Sequence, residues 1–368
     1  MRHTSRVTSP PAASTTEPDI TLGRAEIAAA DPTDQLGDVL SIPEHLRDAM
    51  WKAESAGVRP WDSPGGLIVA GMGGSGIGGR LARAILGDQA SRPVLSVAGY
   101  ALPSWTTQDV TVLCASYSGD TEETLACFEA AGVLGARRIV ATTGGALAQA
   151  ARAENVPVLP MAGGLQPRAA VAYQTVAALE AAALCGAGPK LTTEIDVAAD
   201  HLEQLAVAWG PDAAEESEAK ALARSLRGTV PVIAGAGLTS PVAYRWKTQI
   251  NENAGQHAFA SELPECNHNE IVGWPTAPGL GSFSAVFLDD SDDTPRVEQR
   301  IRLTREIVGD AAASSHIVST RGQTTVERAF SLVLLGDLVS VYLGVLNGKD
   351  PVAIGPIDRL KASLAETA

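Results

Sequence analysis

The sequence predicts an α/β protein of two halves, each a mainly parallel sheet flanked by helices. Short apolar runs recur along the chain, each followed by a Gly- or Ser-rich turn and then a helix-forming stretch, the alternation of a parallel sheet. Hydrophobic residues make up 45% of the 368 residues but aromatics only 4%. The interior must therefore be built of Ala, Val, Leu and Ile, with close backbone approaches at some of the 36 glycines. The alternating pattern also comes in two series, separated by a more polar helical stretch over residues 190–228.

The elements follow in order. Residues 1–34 read as a disordered or extended N-terminal tail, because 1–20 are rich in Ser, Thr, Pro and Ala and lack an apolar run. Arg2, Arg6 and the absence of acids before Glu17 give a faint transit-peptide character, and a tail is the preferred reading. A helical lead-in over 35–56 is interrupted near Pro43. Strands are expected at Leu67–Ala70, Val94–Val97, Val110–Ala115, Arg138–Ala141 and Val156–Leu159. Between them lie a turn at Gly71–Gly79 with a helix over Arg80–Leu86, a turn at Ser116–Asp120 with a helix over Thr121–Ala131, and a helix through Ala153. A long Ala-rich helix opens at about Pro167 and closes the first half, residues 35–189. After the helical connection over 190–228, the second half spans 229–368. Its expected strands are Val230–Ala234, Glu270–Trp274, Ser284–Leu288 and Ser315–Ser319, and its expected helices run from Pro241 and over Val297–Val308, Thr325–Leu346 and Ala353–Glu366.

The formal net charge is −14. A surface this acidic repels nucleic acid and anionic lipid, and any anionic ligand needs a locally favourable site. No run of roughly 20 consecutive apolar residues of the kind that spans a membrane occurs. The four cysteines, Cys114, Cys127, Cys185 and Cys266, form no C-x-x-C pair and read as reduced thiols of a cytoplasmic protein.

Two loops carry the chemistry. Gly71-Met72-Gly73-Gly74-Ser75-Gly76 fits G-x-G-x-x-G between a strand and a helix. A dinucleotide site needs an acid at the end of the next strand, and Pro93–Tyr100 supplies none; no Lys-Ser/Thr pair makes it a Walker loop. What remains is a turn whose free N–H groups face outward at a helix start, or a tight turn without a ligand. The second loop, Ser116-Tyr117-Ser118-Gly119-Asp120-Thr121-Glu122-Glu123-Thr124, clusters four hydroxyls at another helix start, where capping needs one. Hydroxyls and helix-start amides without a basic residue suit a phosphate monoester. Gly74, Ser75, Ser116, Ser118 and Thr121 are the candidate phosphate contacts.

These loops resemble the sugar-phosphate loops of sugar-isomerase (SIS) domains. Further motifs resemble the bifunctional phosphoglucose/phosphomannose isomerase family: Gly163-Gly164-Leu165-Gln166-Pro167-Arg168, Asn251-Glu252-Asn253 and Pro264-Glu265-Cys266-Asn267-His268-Asn269-Glu270. The match runs from about residue 35 to the C-terminus. It implies two SIS-type subdomains and interconversion of glucose 6-phosphate or mannose 6-phosphate with fructose 6-phosphate, through a cis-enediol and without a metal or cofactor. Glu252 resembles the glutamate that moves the proton between C1 and C2, a task open to a positioned carboxylate. His268 resembles the ring-opening histidine, Arg168 the arginine facing the enediolate, and Lys361 a lysine at the substrate oxygens. The resemblance also implies a homodimer with shared active sites, His268 coming from the neighbouring subunit. Gly255-Gln256-His257 departs from the Ala-Lys type continuation usual after Asn-Glu-Asn.

Plainer readings stand beside these: a solvated helix-end acid for Glu252, a hydrogen-bonded loop histidine for His268, and surface cations for Arg168 and Lys361. His257, Glu262, Glu265, His268 and Glu270 do not have metal-site spacing, and Pro264 breaks any shared helix face. A sugar-phosphate sensor that binds without turnover is the alternative function, although no DNA-binding helix-turn-helix is visible. An amidating isomerase would need a glutaminase domain, for which residues 1–34 are too short.

Overall fold

The structure is a computed structural model that describes residues 20–366. Helices α1 (Arg24–Ala30), α2 (Gln35–Leu40) and α3 (Ile42–Ser55) lead into the first sheet. It is built from β1 (Leu67–Ala70), α4 (Gly73–Leu86), β2 (Val94–Val97), β3 (Thr111–Ala115), α5 (Glu122–Val133), β4 (Arg137–Thr142), α6 (Gly145–Ala153) and β5 (Val158–Pro160). Helix α7 (Val171–Leu184) packs back on it, and α8 (Thr192–Trp209) and α9 (Glu218–Leu226) follow. The second sheet comprises β6 (Val230–Gly235), α10 (Ser240–Asn253), β7 (Phe259–Glu262), β8 (Phe283–Asp289), α11 (Pro295–Gly309) and β9 (Ser314–Ser319). Helices α12 (Thr325–Leu346) and α13 (Gly355–Ala365) end the described chain.

Both sheets are wholly parallel, with strand orders β2-β1-β3-β4-β5 and β7-β6-β8-β9. In the register, Leu67 faces Val94 and Thr111, and Val232 faces Phe259 and Ala285. Every residue of β1 and β3 is buried, as expected of strands covered on both faces. Each sheet's first strand is flanked by its second and third, so the chain reverses direction across the sheet there. Such a switch point opens a crevice at the carboxyl ends of the strands. In the first sheet, that crevice is where Gly71–Gly76 and Ser116–Thr121 leave β1 and β3.

One large core runs through both halves, and α12 is its axis. Residues Val326–Leu346 are all buried. By length and composition α12 could cross a membrane, but its apolar window is entirely covered by protein. It packs on α8, α9 and α10, while α8 also packs on α3. Gly336 sets the approach of α10: a Cβ there would sit 2.1 Å from Nε1 of Trp246, a fully buried side chain whose indole N–H donates to the Leu332 carbonyl at 2.7 Å.

The strands at Leu67–Ala70 and Val94–Val97 and the helix at Thr325–Leu346 form as expected. Elsewhere the structure corrects the reading. The tail over 1–34 holds helix α1 and a buried Leu22 at its C-terminal end, where apolar side chains dock on the core; residues 1–19 lie outside the described residues. Helix α4 starts at Gly73, so the expected turn at Gly71–Gly79 is mostly helix. The strand expected at Glu270–Trp274 is instead the start of a 3-10 segment, Glu270–Gly279, with no buried residue. Pro275 and Pro278 remove ladder donors there. The edge position is taken by β7, whose Phe-Ala-Ser-Glu lacks β-branched residues and gives a weak strand signal.

Overpacking at the α10–α12 contact sets a first prediction. Gly336→Ala costs about 1–3 kcal/mol in urea unfolding. Gly309→Ala, with nothing within 4 Å of the added Cβ and no positive φ, stays within about 1 kcal/mol of the parent.

Candidate active site

A small cavity of about 120 Å³ lies between the end of β1 and helix α10. One wall is the turn from Gly71 to Gly76; the other is a stripe of α10 at Arg245, Thr248, Gln249 and Glu252, with Arg168 alongside. Positions three, four and seven apart share a helix face, which is why one helix presents all four side chains.

The turn itself is shaped by contact with the Arg168 segment. A Cβ on Gly74 would lie 2.7 Å from the Pro167 carbonyl oxygen, so only glycine allows this approach. The Met72 carbonyl accepts from the N–H groups of both Ser75 (2.9 Å) and Gly76 (3.2 Å). Gly73 and Gly74, the first residues of α4, have no intrahelical acceptor within reach and carry the open N–H groups of this helix start.

Arg168 is 4% exposed and makes three directed contacts. Its Nε donates to Asn253 Oδ1 at 2.7 Å, its Nη2 donates to the Pro351 carbonyl at 2.7 Å, and its Nη1 lies 3.5 Å from Glu252 Oε2. The neighbours are fixed in turn. Asn253 Nδ2 donates to Ser340 Oγ at 2.9 Å, Arg245 Nη2 donates to the Arg168 carbonyl at 2.9 Å, and Arg245 Nε donates to Asp337 Oδ1 at 3.0 Å. Burial pulls the Arg168 guanidinium below its ordinary pKa and the Glu252 carboxylate pulls it back up. Burial likewise raises the Asp337 carboxyl, against the opposing pull of Arg245. An arginine stays cationic in such surroundings. The Glu252 side chain keeps 31% of its surface exposed and lines the cavity, with its Oε2 beside Arg168.

The hydroxyls are arranged differently. Ser75 is buried, and its Oγ accepts from Tyr117 N (3.0 Å) and Gln174 Nε2 (3.0 Å), joining the two loops. Ser116 is fully buried; its Oγ accepts from Gly119 N at 3.0 Å and pairs with Thr121 Oγ1 at 2.9 Å. Asp120 does not cap its own helix: its Oδ1 accepts from Ala146 N at 2.8 Å, at the start of α6. Ser118 is exposed and accepts only a weak bond from Asp120 N at 3.2 Å. The cavity at Glu252 is lined by the first loop and not by the second.

His268 and Lys361 lie apart from this cavity. His268 ends a 3-10 turn, Glu265–His268, whose flanks are pinned by Asn267 Nδ2 to Thr304 Oγ1 (2.8 Å) and Asn269 Nδ2 to Glu265 Oε1 (2.9 Å), while His268 itself faces solvent. Lys361 is exposed on α13. Within one chain, Glu252, Arg168, Gly74 and the Ser75 turn come together and His268 and Lys361 do not join them. The sequence reading missed Asn253 as the anchor of Arg168, and Arg80, Tyr244 and Gln249 as cavity walls. Asn253 stood in a quoted motif, whereas the other three carry no local signal. No group of three or more His, Cys, Asp or Glu side chains among the described residues could hold a metal ion, and all four cysteines are buried free thiols.

Comparison with known proteins identifies the family. Residues 215–364 match the family model described as the bacterial phospho-glucose isomerase C-terminal SIS domain. A bifunctional phosphoglucose/phosphomannose isomerase of Caldicellulosiruptor bescii is 35% identical, covering 89% of this chain and 98% of that protein. One of Aquifex aeolicus is 33% identical over 82% of this chain and 91% of that protein. Among solved structures, a glucose-6-phosphate isomerase like protein of Thermus thermophilus superposes with a TM-score of 0.62 at 18% identity, over 93% of this chain and 99% of that one. A tagatose-6-phosphate ketose/aldose isomerase of Escherichia coli does so with a TM-score of 0.60 at 17% identity, over 94% and 96%. Two parallel sheets and relatives 33–35% identical that are covered over nearly their whole length lead to one conclusion: the chain belongs to the bifunctional phosphoglucose/phosphomannose isomerase family.

Proposed function

We propose that this isomerase interconverts glucose 6-phosphate or mannose 6-phosphate with fructose 6-phosphate by proton transfer between C1 and C2, without a metal ion. The observation that carries the reading is the Glu252–Arg168 pair, 3.5 Å apart, beside the open amides of the Gly71–Gly76 turn. In the open-chain aldose, the Glu252 carboxylate takes the C2 proton, leaving a cis-enediol, and returns it to C1. A proton passes from O2 to O1 as the carbonyl moves to C2. The Arg168 guanidinium faces the oxygens where negative charge develops, in a pocket where its own contacts hold it in place before the substrate arrives.

The phosphate sits at Gly74 with its neighbour Gly73, and at the second loop through Ser118 and, after rearrangement of their mutual hydrogen bonds, Ser116 and Thr121. Ser75 acts from behind by holding the two loops together. His268 opens the sugar ring from a neighbouring subunit of a homodimer, which fits its outward position on a pinned turn, and Lys361 reaches the substrate oxygens from α13. A sensor that binds without turnover has no need of a carboxylate clamped by a buried arginine, so the geometry favours the enzyme.

Two outcomes follow. Glu252→Gln lowers kcat in a coupled hexose-phosphate assay by about 10²–10⁴-fold while binding of fructose 6-phosphate persists; unchanged turnover removes Glu252 from the mechanism. Mixing inactive Glu252→Gln and His268→Asn chains under subunit exchange restores about a quarter of wild-type activity, since half the dimers are mixed and one of their two sites keeps both groups. No restoration places His268 in the same chain's site, or outside the chemistry.

A further inference from the structure

A second cavity of about 630 Å³ opens between the two halves, beside the catalytic one. Its walls are the outer face of α4, the edge strands β2 and β7, and the start of α10. Arg80, Ser96 and Tyr244 line both cavities and so form the partition between them. Arg80 lies over the Tyr244 ring, 4.5 Å from its centroid.

Arg80 and Arg83 project into this cleft from α4. Three residues apart, they share a helix face. Both are exposed, and neither has a carboxylate partner among the described residues. In a chain of net charge −14, two neighbouring arginines without a carboxylate partner leave this cleft locally cationic. The acid lining the cleft is Glu262, an exposed residue at the end of β7. Opposite the arginines, Gly237 and Ser240 lead into α10. This turn after β6 occupies the same place in the β7-β6-β8 arrangement that the Gly71–Gly76 turn after β1 occupies in β2-β1-β3. The second half therefore offers the topological counterpart of the first half's phosphate turn, with two arginines across from it.

We propose that this cleft is a second anion-binding site, taking the phosphate groups of a phosphorylated ligand and separate from the catalytic cavity. Arginine forks match phosphate oxygens in pairs, and two of them across from a hydroxyl-bearing helix start can hold one phosphoryl group or two adjacent ones.

Calorimetric titration with pyrophosphate tests the assignment. Arg83 lines the larger cleft and not the catalytic cavity, so Arg83→Gln weakens pyrophosphate binding by about tenfold or more, the loss of a charge-assisted contact. Its isomerase kcat/KM without pyrophosphate stays within about twofold of wild type, as expected for a contact outside the transition-state site. Arg83→Glu weakens binding further. Wild-type-like binding in both variants overturns the proposal, as does absence of pyrophosphate binding to the wild type. A parallel rise in KM for fructose 6-phosphate in Arg83→Gln would place the anion in the catalytic cavity and also overturn it. Failure of the isomerase reading is seen in turnover alone, failure of this inference in the binding.

Discussion

The structure depends on one buried cation. Arg168 is taken out of water between the halves, and a guanidinium in that position is tolerable only with its donors satisfied. Glu252 and Asn253 at the end of α10 and the Pro351 carbonyl beyond α12 satisfy them. Arg245 closes the ring by donating to the Arg168 carbonyl while pairing with Asp337 inside α12. The network links the segment before α7, the end of α10 and the middle of α12. It thereby fixes the distance between a carboxylate from the second half and a glycine turn from the first.

The two sheets provide the frame for this arrangement. Parallel strands bring both loops of the first half to one edge of a switch-point crevice, while α12, buried along its length, seats α10 so that its polar stripe faces that crevice. The Asp337 carboxylate, buried in the middle of α12, makes sense in this light. It would be costly as an isolated charge, and it serves as the counter-ion that lets a second arginine, Arg245, lie beside the first.

Much of the fold was legible in the sequence. Apolar runs such as Leu67–Ala70 are bounded by glycines and have only one reading, and Thr325–Leu346 opens with a Thr324–Glu327 capping box. The weak points were local. Phe259–Glu262 is a strand because of its neighbours rather than its residues, and Glu270–Trp274 has strand residues without a place in a sheet. At the site, family resemblance singled out Glu252 and Arg168, yet nothing in the spacing indicates that residues 84 apart meet. Hydroxyl count proved a poor guide to exposure: of the four candidate contacts Ser75, Ser116, Ser118 and Thr121, two are buried and serve the loops themselves. Arg80 and Arg83 were invisible because an arginine on a helix reads as surface until its surroundings are seen.

The claim at the centre is that the Glu252 carboxylate handles the carbon-bound proton while Arg168 holds it in place. Isotope exchange tests it most directly. In deuterium oxide, the wild-type protein should incorporate solvent deuterium at C2 of the aldose formed from fructose 6-phosphate. Glu252→Gln should bind the same ketose and incorporate none at C1 or C2. Undiminished incorporation by Glu252→Gln would contradict the assignment and hand the proton to another group.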